Sequence, residues 1–492
     1  WLKSVASLAQ GSSKLARFWT VACSSGRNAV IATMGAVCAT GEDIAPAGAK
    51  AMVLVHGMAS CSLRAQRRDE PQILRVSCDS GKKHRTCWIS IKELTKLRFK
   101  LMRALILTHE EDVAEDGSKI VRAVDRHPGI DVLPERGLKA ISTLNPGEKI
   151  PIVVWKGLID EFSSDYHLAA FTYDWRKWGD LAYAGGVVAE FKATIEQNAS
   201  GSGEAVTVVA HSMGASVVLY CMGVLGAAWT REHIEQLVFL GPAATGSPSM
   251  FACYPCGPLA SMGRPFFHGF EEIDNKLLRF TSSWPCMIAE FPVNVGAVQA
   301  YAHDHAFAVT PSKKYYQKDI QEFLDDVAKS AQSSPETEES LTVKDKNGNL
   351  LVAENGEPYR LWTTRESLQG GRLFWPGVEK MSLMMAPPVV PTHIVYSKGF
   401  DTITCVKFDD GDLTQTPRVE EVAPGDDTVT AASVETLAEA WRKMGLAEVH
   451  LHVAPDDVHH KDLVNCDFTL GLLSELLGGK DASDEDASSD DA

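Results

Sequence analysis

The sequence predicts an α/β protein built on a mostly parallel sheet, and three stretches carry that expectation. Residues 51–55 (AMVLV) form an uninterrupted apolar run ending in His56-Gly57, as a strand covered on both faces would. Val206, Val208 and Val209 form a second such run, followed by the turn Ala210-His211-Ser212-Met213-Gly214 and an apolar stretch, 215–221, suited to a buried helix. Residues 449–453 make a late strand with His459-His460 just beyond it.

The second stretch is the organising one. Strand, elbow and helix hold Ser212 above the carboxyl edge of a parallel sheet, with Ala210 and Gly214 small where bulk would collide with strand and helix. Ala210 stands where G-x-S-x-G has its first glycine, and a five-residue match also suits plain core packing. Chain order adds weight to the chemical reading. Ser212, then the Pro424-Gly425-Asp426-Asp427 loop, then His459-His460 is the order of an α/β-hydrolase triad. A serine hydroxyl is a weak nucleophile until an imidazole takes its proton, and a carboxylate must hold that imidazole in one tautomer. A backbone N–H in the 56–60 turn, with that of Met213, suits an oxyanion hole. Such a site performs acyl transfer and needs no cofactor.

Composition sets the outer limits. The 492 residues, 45% hydrophobic, suffice for a large core. A formal charge of -16 argues against nucleic acid as partner. Of 11 cysteines only Cys253 and Cys256 have CxxC spacing, with no second pair to complete a zinc site. His303-x-His305 and His450-x-His452 lack a visible third ligand, so no metal is expected.

From the start, residues 1–41 carry Lys3, Lys14, Arg17 and Arg27 without an acid, and 29–39 is apolar and ends in small residues. With Trp1 in place of Met, this reads as the leader of a fragment or processed form over 1–45: a recessed signal peptide, or a basic leader before a first strand. No run approaches the roughly 18 apolar residues of a membrane span, so a soluble or peripheral protein is expected. Asn198-Ala-Ser200 is a usable glycosylation sequon.

Residues 78–87 make a polar loop between cysteines, with Trp88 next. Ile91, Leu94, Leu97, Leu101 and Leu105 then recur among five basic residues, an amphipathic helix that lies on a lipid surface or faces the core. Further apolar runs cover 152–155 and 169–172; Asp174 and Arg176 after the latter are expected to brace a loop. Strands follow at 236–240 and 393–396. Between them, 247–270 is an irregular apolar segment placed to act as a lid or as a packed loop, and 333–371 is polar with Asn-Gly turn signals, as a hairpin-like insert would be. Residues 477–492 form an acidic tail unable to fold alone.

Seven segments together resemble the lecithin:cholesterol acyltransferase family, with its phospholipid:diacylglycerol acyltransferase and lysosomal phospholipase/transacylase relatives. They are VLVHGMASCSLRAQ (53–66), AAFTYDWR (169–176), VVAHSMGASVVLYCM (208–222), FLGPAATGS (239–247), SSWPCMIAEFP (282–292), PGDDTV (424–429) and HVAPDDVHHKDLV (452–464). The resemblance implies an α/β-hydrolase domain over 48–476, with a membrane-binding and first-lid insertion at 66–150 and a cap at 246–384. Carried over, the nucleophile is Ser212, the acid Asp426 with Asp427 in reserve, the base His460 with His459 in reserve, and the oxyanion amides those of Met58 and Met213. It also implies a lid disulfide between Cys78 and Cys87, lipid contact through Trp88, Leu97 and Leu101, and no counterpart of the family's second disulfide in Cys405 and Cys466. The implied activity is cleavage of a glycerophospholipid ester and transfer of the acyl group to a lipid alcohol, such as a sterol, or to water. A phospholipid membrane or lipoprotein-like surface is the implied partner, and the secretory pathway, secreted or lumenal, the implied location. The rival readings are a phospholipase or lipase with water as sole acceptor, a soluble hydrolase of small esters, and an inactive lipid-binding protein.

Overall fold

A computed structural model describes residues 49–67, 86–88, 102–113, 119–125, 130–144, 152–257, 278, 280–331, 342, 350 and 360–478. The leader, Cys78, Leu97, Leu101 and the acidic tail from 479 onward lie outside the described residues.

Six strands make the central sheet: β1 (Ala51–Val55), β2 (His167–Phe171), β3 (Val206–His211), β4 (Ile234–Leu240), β5 (Thr392–Tyr396) and β6 (Val449–Val453). Their spatial order is β6-β5-β4-β3-β1-β2, and every neighbouring pair is parallel. The fold is thus the expected α/β class. β1 and β3 are buried along their whole length, which is why their apolar runs show no alternation.

Helices flank this sheet. Helix α1 (Leu181–Ser202) begins at Asp180, whose Oδ1 accepts from the amides of Ala182 and Tyr183, and ends at Gly203, φ 77°. Helix α2 (Met213–Leu225) follows the elbow and is buried through Met222. Helix α3 (Ala431–Met444) buries Val434, Leu437, Ala438 and Trp441, one helical face, and stops at Gly445.

A second, four-stranded sheet positions the acid loop. Its strands Phe400–Lys407 and Arg418–Gly425 run antiparallel, and the latter ends at Gly425, directly before Asp426. Leu107–Val113 and Lys119–Asp125 form a separate hairpin.

Several expectations need correction. Trp88 is 1% exposed and packs against Trp175 and Trp284, with ring centroids 5.5 and 5.7 Å away. It belongs to the core and does not face a membrane, because its large apolar area gains more from this aromatic cluster. Cys87 is a free buried thiol donating to the Leu63 carbonyl at 3.3 Å, and its expected partner lies outside the described residues. Cys405 and Cys466 are free as well. Asn198 lies inside α1, buried, its Nδ2 donating to the Thr194 carbonyl at 2.8 Å, which removes it as a glycosylation site. Of the basic amphipathic helix only Met102–Leu105 is described, a 3-10 turn with Ala104 and Leu105 buried. Within 247–270, Met250–Cys256 is a helix with every residue buried. The end of the polar insert is helical: Thr364–Gly371 starts with a Thr363/Glu366 capping box.

Candidate active site

β3 ends at His211 and α2 begins at Met213, so one residue must make the turn. Ser212 does it with φ 56° and ψ -128°, a conformation costly for a residue with a Cβ. Its amide donates to the Leu240 carbonyl at 3.0 Å and its carbonyl accepts from the amides of Ala215 and Ala243, which hold the elbow in place. Neighbouring loops press on it. A Cβ at Gly214 would sit 2.6 Å from the Val55 carbonyl oxygen, and one at Gly57 would sit 2.6 Å from the Ser212 Cβ.

The structure brings Ser212, His460 and Asp426 into one hydrogen-bonded chain. In the tautomer that base catalysis requires, the Ser212 hydroxyl donates to His460 Nε2 at 2.9 Å and His460 Nδ1–H donates to Asp426 Oδ2 at 2.7 Å. The second carboxylate oxygen, Oδ1, accepts from the amides of Thr428 (3.0 Å) and Val429 (2.7 Å), so both oxygens of this buried group are engaged. Burial alone would lower the His460 pKa. The charge and hydrogen bond of Asp426, with Asp427 and Glu290 behind it, outweigh burial and raise it.

The reserve pair does not reach the serine: His459 donates instead to Asp427 Oδ2 at 2.6 Å. Met213 is the first residue of α2, where amides have no acceptor within the helix, and Met58 follows Gly57 beside Ser212.

Three supporting residues escape a reading of the sequence. His211 Nε2–H donates to the His460 carbonyl at 3.0 Å, and burial, with the charge of His460, lowers its pKa to about 3, which keeps it neutral. The signal was the histidine inside the elbow itself. Gly241, φ 51°, lies under the His–Asp pair: a Cβ there would come 2.9 Å from His460 Nδ1 and 3.0 Å from Asp426 Oδ2. Glu290 is a buried carboxyl that burial raises to about 8, with His460 opposing the rise. Nothing in its SSWPCMIAEFP context marks it.

The two histidine pairs have different surroundings. His305 Nε2–H donates to the Thr404 carbonyl, while His450 and His452 stack with His393. Among the described residues no group of three or more His, Cys, Asp and Glu is arranged to hold a metal ion.

The chain has similar proteins among known sequences and solved structures. The chain is 24% identical over 308 residues to phosphatidylcholine-sterol acyltransferase of Gallus gallus, covering 63% of this chain and 62% of that protein. It is 24% identical to the Homo sapiens protein of the same name over 64% of this chain and 59% of that one. Against lysosomal phospholipase A and acyltransferase of Canis lupus familiaris the identity is 24%, covering 62% of each. The chain thus spans about three-fifths of the length of the curated relatives it matches. Among solved structures, the Tle4-Tli4 complex aligns with a TM-score of 0.42 at 10% identity, over 87% of this chain and 98% of that one. An open-form lipase aligns with a TM-score of 0.28 at 14% identity, over 66% and 84%. The sequence pattern described as lecithin:cholesterol acyltransferase matches residues 87–469, a span that takes in the elbow, the acid loop and the histidine loop, and the chain belongs to that family.

Proposed function

We propose that this chain is a serine-dependent lipid acyltransferase and phospholipase. The observation that carries the reading is the buried Ser212–His460–Asp426 chain of hydrogen bonds at the elbow. Ser212 Oγ attacks the acyl carbonyl of a glycerophospholipid while its proton passes to His460 Nε2, and the amides of Met58 and Met213 hold the developing oxyanion. Collapse breaks the ester bond; the lysophospholipid oxygen leaves with the proton from His460, and an acyl-serine remains. An acceptor hydroxyl then gives its proton to His460 as its oxygen attacks, and Ser212 leaves with that proton. Asp426 stabilises the imidazolium in both halves. The acceptor is a lipid alcohol such as a sterol, or water.

On this reading 66–150 contacts membrane, with Leu97 and Leu101 as lipid-facing residues, and 246–384 forms a cap. The protein works in the secretory pathway, secreted or lumenal, at a phospholipid membrane or lipoprotein-like surface. No single helix among the described residues is long and apolar enough to cross a membrane.

The test uses phosphatidylcholine vesicles containing a sterol, with separation of the lipid products. Lysophospholipid with steryl ester is the expected outcome, and Ser212→Ala should lower it at least about a thousandfold. Free fatty acid as the sole acyl product would assign water as acceptor under these conditions. Equal rates for Ser212→Ala and wild type would overturn the mechanism.

A further inference from the structure

His460 sits on a loop, and loops move unless something ties them down. One tie is backbone: the His460 amide donates to the Asp426 carbonyl at 2.9 Å. A second lies one residue along each loop. Asp427 turns with φ 76°, so its carboxylate diverges from that of Asp426 and accepts from His459 Nδ1–H at 2.6 Å. That aspartate is itself held on two sides: its amide donates to Thr402 Oγ1 at 3.0 Å, and Thr428 Oγ1–H donates to its Oδ1 at 3.0 Å. The His459 ring lies flat on Phe400, with centroids 3.7 Å apart. Phe400 and Thr402 share the strand that pairs with the one leading into the acid loop.

We propose that Asp427 and His459 are a positioning pair that clamps the acid loop to the histidine loop, so that His460 stays within hydrogen-bonding reach of Ser212. Two consecutive Asp–His pairs do different work: the buried one takes part in chemistry, and the half-exposed one keeps it in register. The inference rests on the proposed acyl-transfer function. Left-handed backbone at an aspartate is mild strain, and strain persists where the surroundings over-determine it. The pair also fixes a negative charge near His460. The titratable groups around that imidazole are Asp426 and Asp427 from the acid loop, Glu290 from the end of the helix Pro285–Ala289, and His211 from the end of β3, with His459 on its own loop.

The experiment compares Asp427→Asn, His459→Gln and the double variant with wild type and Ser212→Ala. It measures acyl release from phosphatidylcholine vesicles between about pH 5 and 9, and thermal midpoints alongside. Each single change should lower kcat roughly tenfold, with KM changed less than about twofold, since loosening a catalytic group by about an ångström costs up to about a hundredfold. The double variant should be no worse than the worse single one, because the two residues act as a unit. Asp427→Asn removes a charge that favours the imidazolium, so the acid limb of kcat/KM should move to lower pH; His459→Gln keeps the carboxylate and should not show that downward shift. A merely structural pair would not separate the two variants this way. An unchanged kcat in His459→Gln, or an unmoved acid limb in Asp427→Asn, overturns the clamp. Should Asp427→Asn fail to fold, kcat of the folded His459→Gln decides alone. Wild-type behaviour of the clamp variants beside an inactive Ser212→Ala sinks the clamp and leaves the function standing, whereas an active Ser212→Ala sinks the function first.

Discussion

Ser212 and Gly241 show how a site is bought with backbone geometry: both have positive φ, Ser212 lies close against Gly57, and Gly241 lies close against His460 and Asp426. Only Gly241 is free of the Cβ that makes such a conformation costly. Glu290 is the other unusual residue beside them. Its folded pKa stands near 8, against an ordinary value of 4.5. The unfolded chain loses this proton from about pH 4.5 upward, whereas the folded chain keeps it until about 8, so folding stability falls across that window. Glu290→Gln should remove the loss. Compared with wild type, its relative stability should be flat below about pH 4 and rise by up to ~1.4 kcal/mol per pH unit until about pH 8. Urea unfolding at several pH values checks this, and a difference independent of pH would show that the carboxyl is ionised in the fold.

Helix α1 links the core to the 107–125 hairpin through its cap. Asp180 Oδ1 serves the first-turn amides, and its Oδ2 accepts from the Ala123 amide at 2.8 Å. Asp180→Ala removes a cap worth about 1 kcal/mol and leaves the buried Ala123 amide unpaired, which adds roughly 1–3 kcal/mol. Asp180→Asn keeps the shape but only one acceptor oxygen, because its Nδ2 is a donor, so it should recover the capping part of the loss and leave the Ala123 amide unpaired. Thermal unfolding of the two variants measures the difference; equal midpoints would mean that the cap oxygen contributes nothing to stability.

Across the whole molecule, the buried Arg176 ties distant segments together. Its guanidinium donates to both oxygens of Asp174 at 2.9 Å, to Asp125 Oδ1 at 2.8 Å and to the Leu105 carbonyl at 3.1 Å. Lys177 also donates to Asp125, at 2.7 Å. Arg176→Met should destabilise the fold by about 3–5 kcal/mol, because it leaves buried carboxylates short of a counter-charge. Chemical denaturation measures the cost, and a loss below about 1 kcal/mol would place the network in a wetter environment than its burial indicates.

The parallel sheet, the elbow and the chain order of Ser212, Asp426 and His460 were legible in the sequence, because hydrophobic periodicity and turn chemistry are local. The capping box at Thr363 was not read, because the polar composition around it suggested a hairpin. What could not be read was whatever depends on contacts between distant segments. Trp88, next to a polar loop, looks like a membrane edge until Trp175 and Trp284 close over it. Asn198 is a sequon until α1 buries it. His459 and His460 are adjacent imidazoles: the family resemblance favours His460, and the contacts that divide them, His460 to Ser212 and Asp426 and His459 to Asp427, exist only in the fold. Local sequence determines what a segment can form; burial and partner choice are decided by the residues that the fold brings beside it.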